Sequence, residues 1–260
     1  MDNLDRRSVG RFSLTDKQAE FVLALGLIAL VLLAMIGGSL TQDPTYHQFI
    51  DTRAWLGLPN AADTLTNGAF AVVGLVGLWW LATGRLRPLN HVMRACVALF
   101  CAGAIGIGIT SGYYHLAPDD ARLVVDRLAM SITFAAVLGM LAAQRVSNRA
   151  GWVTLAASLI LAPTSVLVWA VYGNLAPYYW AQFGGILLVV IILLLRRAKA
   201  GQTNFVALLW CYLLAKLAET FDAGVFSLTQ GLISGHSLKH LLAALGMLLL
   251  LWPLRKAHAS

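Results

Sequence analysis

Stretches of about twenty consecutive apolar residues recur along this chain, and that recurrence restricts the fold more than any motif does. A helix of that length is what the hydrocarbon core of a bilayer requires. Eight segments qualify: residues 20–40, 62–83, 92–115, 121–144, 151–172, 178–195, 204–226 and 237–254. The expected fold class is an all-α integral membrane protein with about eight transmembrane helices. Charged residues make up only 12% of the chain, against roughly 25% in soluble domains. The apolar content is spread evenly, so a single multi-span domain is expected. Segment 204–226 is the least uniform, because it holds Lys216, Glu219 and Asp222. The opening "DRRSVGR" followed by an apolar run has the outline of a signal peptide. The run from Phe21 to Leu40 is long enough to span and no A-x-A site follows it, so a retained first helix is expected.

Basic residues test the span count, since they concentrate in cytoplasmic loops. One set of alternate ends holds Arg6, Arg7, Arg11, Lys17, Arg85, Arg87, Arg94, Arg145, Arg149, Arg196, Arg197, Lys199, Arg255 and Lys256. The opposite loops hold only Arg53 and Arg122, and Arg127, Lys216 and Lys239 fall within spans. That bias predicts eight spans with both termini cytoplasmic. The net charge of +7 is then a topology signal facing anionic lipid, not a nucleic-acid footprint. Trp79, Trp80, Trp152 and Trp252 fall near cytoplasmic ends and Trp180 near an outer end, as interfacial anchors do. The long outer loop carries enough pattern for a short amphipathic helix around Tyr46–Leu56, expected to cap the bundle or lie at the interface. Cys96, Cys101 and Cys211 lie inside spans without a CxxC pair, so they read as small buried hydrophobes.

Polar residues inside spans are costly and mark function. Ser111 and His115 stand four apart at the outer end of the third span, in "SGYYH". Asp126 lies about two turns into the fourth. His236 and His240 open the last span, in "HSLKH", again four apart and on one face. Alternating topology brings all five to a similar depth. Three imidazoles from two helices are the ligand set of a catalytic zinc site, which keeps a position for water or substrate. Asp126 is then free to move a proton, and Ser111 to hydrogen-bond a developing oxyanion. Lys239 is expected to point aside, toward bundle acids or the interface. His47, His91 and His258 read as interfacial residues.

At these residues the chain resembles the alkaline ceramidases and the wider CREST group of membrane hydrolases, which includes adiponectin-receptor-like proteins. The resemblance rests on S-x3-H, an aspartate eleven residues on in "DRLAM", and H-x3-H opening the last helix. "ADTLTNGAFAVVGL" is similar to the family's first core helix, with Asn67 at its polar position. The implied organisation is a cytoplasmic segment 1–19, an extra transmembrane helix and outer loop 20–59, a seven-helix core 60–254 and a cytoplasmic tail 255–260. The implied activity is zinc-dependent hydrolysis of the amide bond of ceramide or a related N-acyl lipid. His115, His236 and His240 would bind zinc, Asp126 would serve as acid or base, and Ser111 would assist. Asn67, Tyr114, Glu219 and Asp222 are candidate substrate-lining residues. The family's calcium-linked acidic and tryptophan-containing motif is not intact, with Asn60 where an acidic residue is expected. Asp51, Asn60 and Asp63 are left as candidates for an altered calcium site.

Two other readings stay open from sequence. One is a receptor or sensor of the adiponectin-receptor type, holding zinc with little turnover. The other is a transporter or channel, suggested by Lys216, Glu219 and Asp222, which lie along roughly one stripe of the seventh span and read otherwise as an internal ion pair facing the bundle. Compact loops point to a bacterial inner membrane, with the site toward the periplasm.

Overall fold

The computed structural model describes residues 14–196 and 201–256. His258 and the basic residues Arg6, Arg7, Arg11, Arg197 and Lys199 lie outside the described residues. The described chain is helical throughout its long elements. Helix α1 spans Asp16–Ile36, α2 Ala61–Thr66, α3 Gly68–Ala82, α4 His91–Leu116, α5 Asp120–Arg145 and α6 Asn148–Tyr172. A short α7, Ala176–Tyr179, runs through a π turn at Trp180–Gly184 into α8, Gly185–Leu195. Then come α9, Phe205–Thr220, α10, Asp222–Leu228, and α11, Gly235–Leu251.

The starts of these helices are written in the sequence. Thr15 and Gln18 form a reciprocal capping box on α1. Asn90, Asp119, Ser147, Asn204 and Ser234 each accept a backbone N–H three residues on, opening α4, α5, α6, α9 and α11. Each cap satisfies a donor that the helix itself leaves orphaned, worth about 1 kcal/mol.

Among the described residues, seven helical stretches are long and apolar enough to cross a membrane, with α2–α3 and α7–α8 each counted as one. The expected eighth differs. Segment 204–226 breaks at Phe221, which leaves helical geometry, and α9 alone has 16 residues. At 1.5 Å per residue that is about 24 Å, short of a hydrocarbon core of roughly 30 Å. The break also overturns the expected stripe: Asp222 starts a new helix instead of following Lys216 and Glu219. The amphipathic helix expected at Tyr46–Leu56 is likewise absent from the described loop. Only a 3-10 turn, Pro44–His47, forms there, and the loop continues extended.

Helices α3 to α6 pack as sequential neighbours, and α11 closes the bundle against α3 and α9. Helix α1 lies outside, against α6, α8 and the π turn. Small residues set the approach distances, as lipid-embedded helix pairs require. A Cβ on Gly74 would stand 2.4 Å from the Cys101 carbonyl oxygen, and one on Gly77 2.4 Å from Cys101 Sγ. All three cysteines are buried free thiols.

The tightest of these crossings orients the histidine helix. A Cβ on Gly235 would lie 2.0 Å from the Ala218 carbonyl oxygen and 2.7 Å from Asp222 Cα. Both obstacles are backbone, so neither can swing away. Gly235→Ala is expected to cost about 1–3 kcal/mol and lower Tm by roughly 3–10 °C. Thermal unfolding in nonionic detergent measures it; an unchanged Tm would show that α9 and α11 are not held at this distance.

Candidate metal centre

Three helix ends converge at one level of the bundle. The last turns of α4 carry Ser111, Tyr114 and His115, the second turn of α5 carries Asp126 and Arg127, and the first turns of α11 carry His236 and His240. All three histidines are buried. Their ring centroids are 4.9 Å apart for His115–His236, 5.1 Å for His115–His240 and 4.9 Å for His236–His240. One ligand nitrogen from each lies within 4.8 Å of the others. His115 Nε2 and His236 Nε2 face each other at 3.3 Å.

The surroundings orient His240 for this purpose. Its Nδ1 lies 3.0 Å from Thr66 Oγ1. The single Thr66 hydroxyl proton is already directed at the Ala62 carbonyl, 2.8 Å away. Thr66 therefore accepts, so Nδ1 carries the proton and Nε2 keeps its lone pair for the cluster. Metal-binding histidines typically have their other ring nitrogen held by a hydrogen bond in this way. Asn60 Nδ2 donates to the His115 carbonyl at 2.8 Å, steadying the end of α4. Asp222 Oδ1 accepts the His236 backbone N–H at 2.8 Å, steadying the start of α11. Three buried neutral nitrogen donors facing one another fit a zinc ion.

Asp126 is buried beside the cluster. Its neighbours do not neutralise it: Arg122 pairs with Asp119, and Arg127 donates to Gln42 and lies over Trp169 and Tyr178. Among the described residues no ion pair involves Asp126. Ser111, one turn deeper than His115, lines the same cavity as Asp126. All three histidines line it too, and its volume is about 240 Å³. Its lower walls are apolar, with Phe70, Phe100, Phe134, Val137, Leu138 and Met247.

The other expected site residues divide. Tyr114 and Glu219 line the cavity, whereas Asn67 and Asp222 do not. Asn67 is fully buried and donates to the Asp63 carbonyl at 2.7 Å. Asp222 is spent on backbone, since its Oδ2 also accepts the Ile50 N–H at 3.3 Å. The candidate calcium residues are each engaged with a different partner. Asp51 is bidentate to Arg53 at 2.8 and 2.7 Å, and this guanidinium holds its carboxyl below the usual carboxylate range. Asn60 holds His115, and Asp63 accepts from Ser234 at 3.1 Å and Ser237 at 2.6 Å.

Lys239 departs from expectation. It does meet a bundle acid, Glu219, at 2.8 Å. Its Nζ also reaches His236 Nε2 at 2.9 Å. Residues three apart on a helix are surface neighbours, and the four-carbon stem covers the remaining distance.

The outer loop, expected as a helix that caps the bundle or lies at the interface, lies against the site as a strap at residues 42–53. His47 Nδ1 meets the Tyr114 hydroxyl at 2.9 Å, and its Nε2 meets Asp120 at 3.2 Å. The Phe49 ring lies 4.8 Å from His115 and 4.4 Å from His236, centroid to centroid. The available signal was "TYHQF", a run of rings in a loop that needs no such apolar surface for solubility.

Fold and site together define an all-α protein, its helices apolar enough for a bilayer, with a buried three-histidine cluster that can hold a metal ion. The chain matches no known family model and no curated protein sequence.

Proposed function

We propose that this protein is a zinc-dependent membrane amidohydrolase that cleaves the amide bond of ceramide or a related N-acyl lipid, releasing a fatty acid and an amine or sphingoid base. The observation that carries the reading is a single cavity in which an unpaired buried carboxylate, Asp126, shares its walls with the three-histidine cluster above an apolar chamber. The resemblance of Ser111, His115, Asp126, His236 and His240 to the alkaline ceramidase motif supports it. In this reading α9 and α10 together complete an eighth crossing. Residues 60–254 form the catalytic core and α1 is an addition. Both termini are cytoplasmic, the site faces the periplasm, and the membrane is a bacterial inner membrane.

His115, His236 and His240 would hold a zinc ion, which would supply Lewis acidity and lower the pKa of water in a site otherwise poor in hydroxide. Asp126 takes the proton from the attacking water and returns it to the departing amide nitrogen, so the carboxylate is regenerated in each turnover. Ser111 has one O–H, which it offers to the carbonyl oxygen as charge develops there. The apolar walls accept the acyl chain, and Phe49 with the strap above it keeps bulk water away from His115 and His236.

Product release from a panel of ceramides and other N-acyl lipids, presented to zinc-loaded protein in mixed micelles, tests the reading. Fatty acid and amine should appear in equal amounts. Zinc held at one per chain with no amide cleaved would instead favour a receptor or sensor of the adiponectin-receptor type.

A further inference from the structure

The same cavity carries more cationic groups than a neutral lipid needs. Among the described residues its charged lining consists of Arg127, Lys216 and Lys239 against Asp126 and Glu219. Arg127 faces Tyr46, Trp169 and Tyr178 and bonds Gln42. Lys216 and Lys239 share one carboxylate: both ammonium groups bond Glu219, one to each oxygen. One carboxylate cannot neutralise two ammonium groups, and each ammonium has three N–H donors of which Glu219 takes one. The third contact of this group is Lys239 Nζ with His236 Nε2. Once that nitrogen gives its lone pair to a metal, the lysine donor aimed at it needs another acceptor. Lys239 is largely shielded and Lys216 only partly so; a shielded cation left without an acceptor is costly, and a bound anion removes that cost.

The placement also says where the anion belongs. Lys239 stands within hydrogen-bond distance of a nitrogen of the cluster, so its acceptor must lie close to the scissile carbonyl. On the acyl side the substrate meets apolar walls. The anion is therefore carried by the amine portion, only a bond or two from the amide nitrogen. Resting on the amidohydrolase reading, we infer that the preferred substrate class is N-acyl amino acids, whose α-carboxylate is received by Lys239 and Lys216 beside the histidine cluster.

Calorimetric titration of zinc-loaded protein in nonionic micelles tests this, with N-palmitoylglycine against its neutral counterpart N-palmitoylethanolamine. The glycine amide should bind roughly 10–100-fold more tightly, the usual range for hydrogen bonds to charged groups. Lys239→Gln and Lys216→Gln should each erode that preference, and the double variant should abolish it while zinc stays at one per chain. Lys239→Arg should keep it, which separates a charge requirement from a packing defect. Equal affinity for the two amides in the parent protein overturns the inference, as does a preference that survives in the double variant. If the lysine-dependent preference holds but neither amide is cleaved, the anion site stands and the amidohydrolase reading falls. If neutral amides are cleaved without preference, the hydrolase stands and the anion site falls.

Discussion

His236→Ala is expected to reduce bound zinc from one per chain to a level near background in protein purified without chelator. The expectation follows from geometry. His115 and His236 present Nε2 to each other at 3.3 Å, and His240 completes a set whose ligand atoms all lie within 4.8 Å. Removing one of three ligands leaves two, and no other described His, Cys, Asp or Glu joins that group. Loss of an outer-shell partner alone typically costs 10–100-fold in metal affinity, so loss of a ligand should cost more. His240→Ala should behave alike. Thr66→Val, which removes only the Nδ1 acceptor of His240, should fall in the 10–100-fold range. His91→Ala, at the exposed start of α4, should keep full zinc and serves as the control for histidine loss as such. Elemental analysis by plasma mass spectrometry on size-purified protein reads all four. A His236→Ala protein that holds zinc as the parent does would end the metal-centre reading.

Much of the bundle can be read from sequence because the bilayer leaves few choices. Seven apolar segments become helices at the expected places, and polar caps such as Asn90, Ser147 and Ser234 fix where several begin. Ser111, His115, Asp126, His236 and His240 reach one cavity because the end of α4 and the starts of α5 and α11 meet at the same end of the bundle. What escapes the sequence depends on contacts between distant segments. The charges of segment 204–226 mark it as the least uniform span but do not say that it breaks at Phe221. The break makes sense only once Asp222 is seen holding the N–H groups of His236 and Ile50. The strap at residues 42–53 is not the helix that its pattern suggests, because its order comes from Tyr114, Asp120 and Asp222, which lie between 67 and 172 residues away. The direction of Lys239 fails for another reason. Spacing assigns a helix face, but a long flexible side chain is not confined to the face on which its Cα sits.

Asp126→Asn separates chemistry from metal binding. Asparagine keeps the shape of the side chain, but it cannot accept a proton from water. Catalytic acid–base groups of this kind contribute about 10²–10⁴-fold, so kcat should fall by that factor with KM little changed. Zinc should remain at one per chain, because Asp126 stands outside the ligand group formed by the three histidines. The variant should also fold at least as well as the parent. A buried carboxylate with no ion-pair partner and one oxygen, Oδ1, lacking any hydrogen bond is a cost to stability that the neutral amide reduces. The two measurements together decide the matter. Lower kcat with intact zinc and an equal or higher Tm assigns Asp126 to proton transfer. Loss of zinc would make Asp126 a structural support of the histidine cluster, and unchanged kcat would remove it from the reaction altogether.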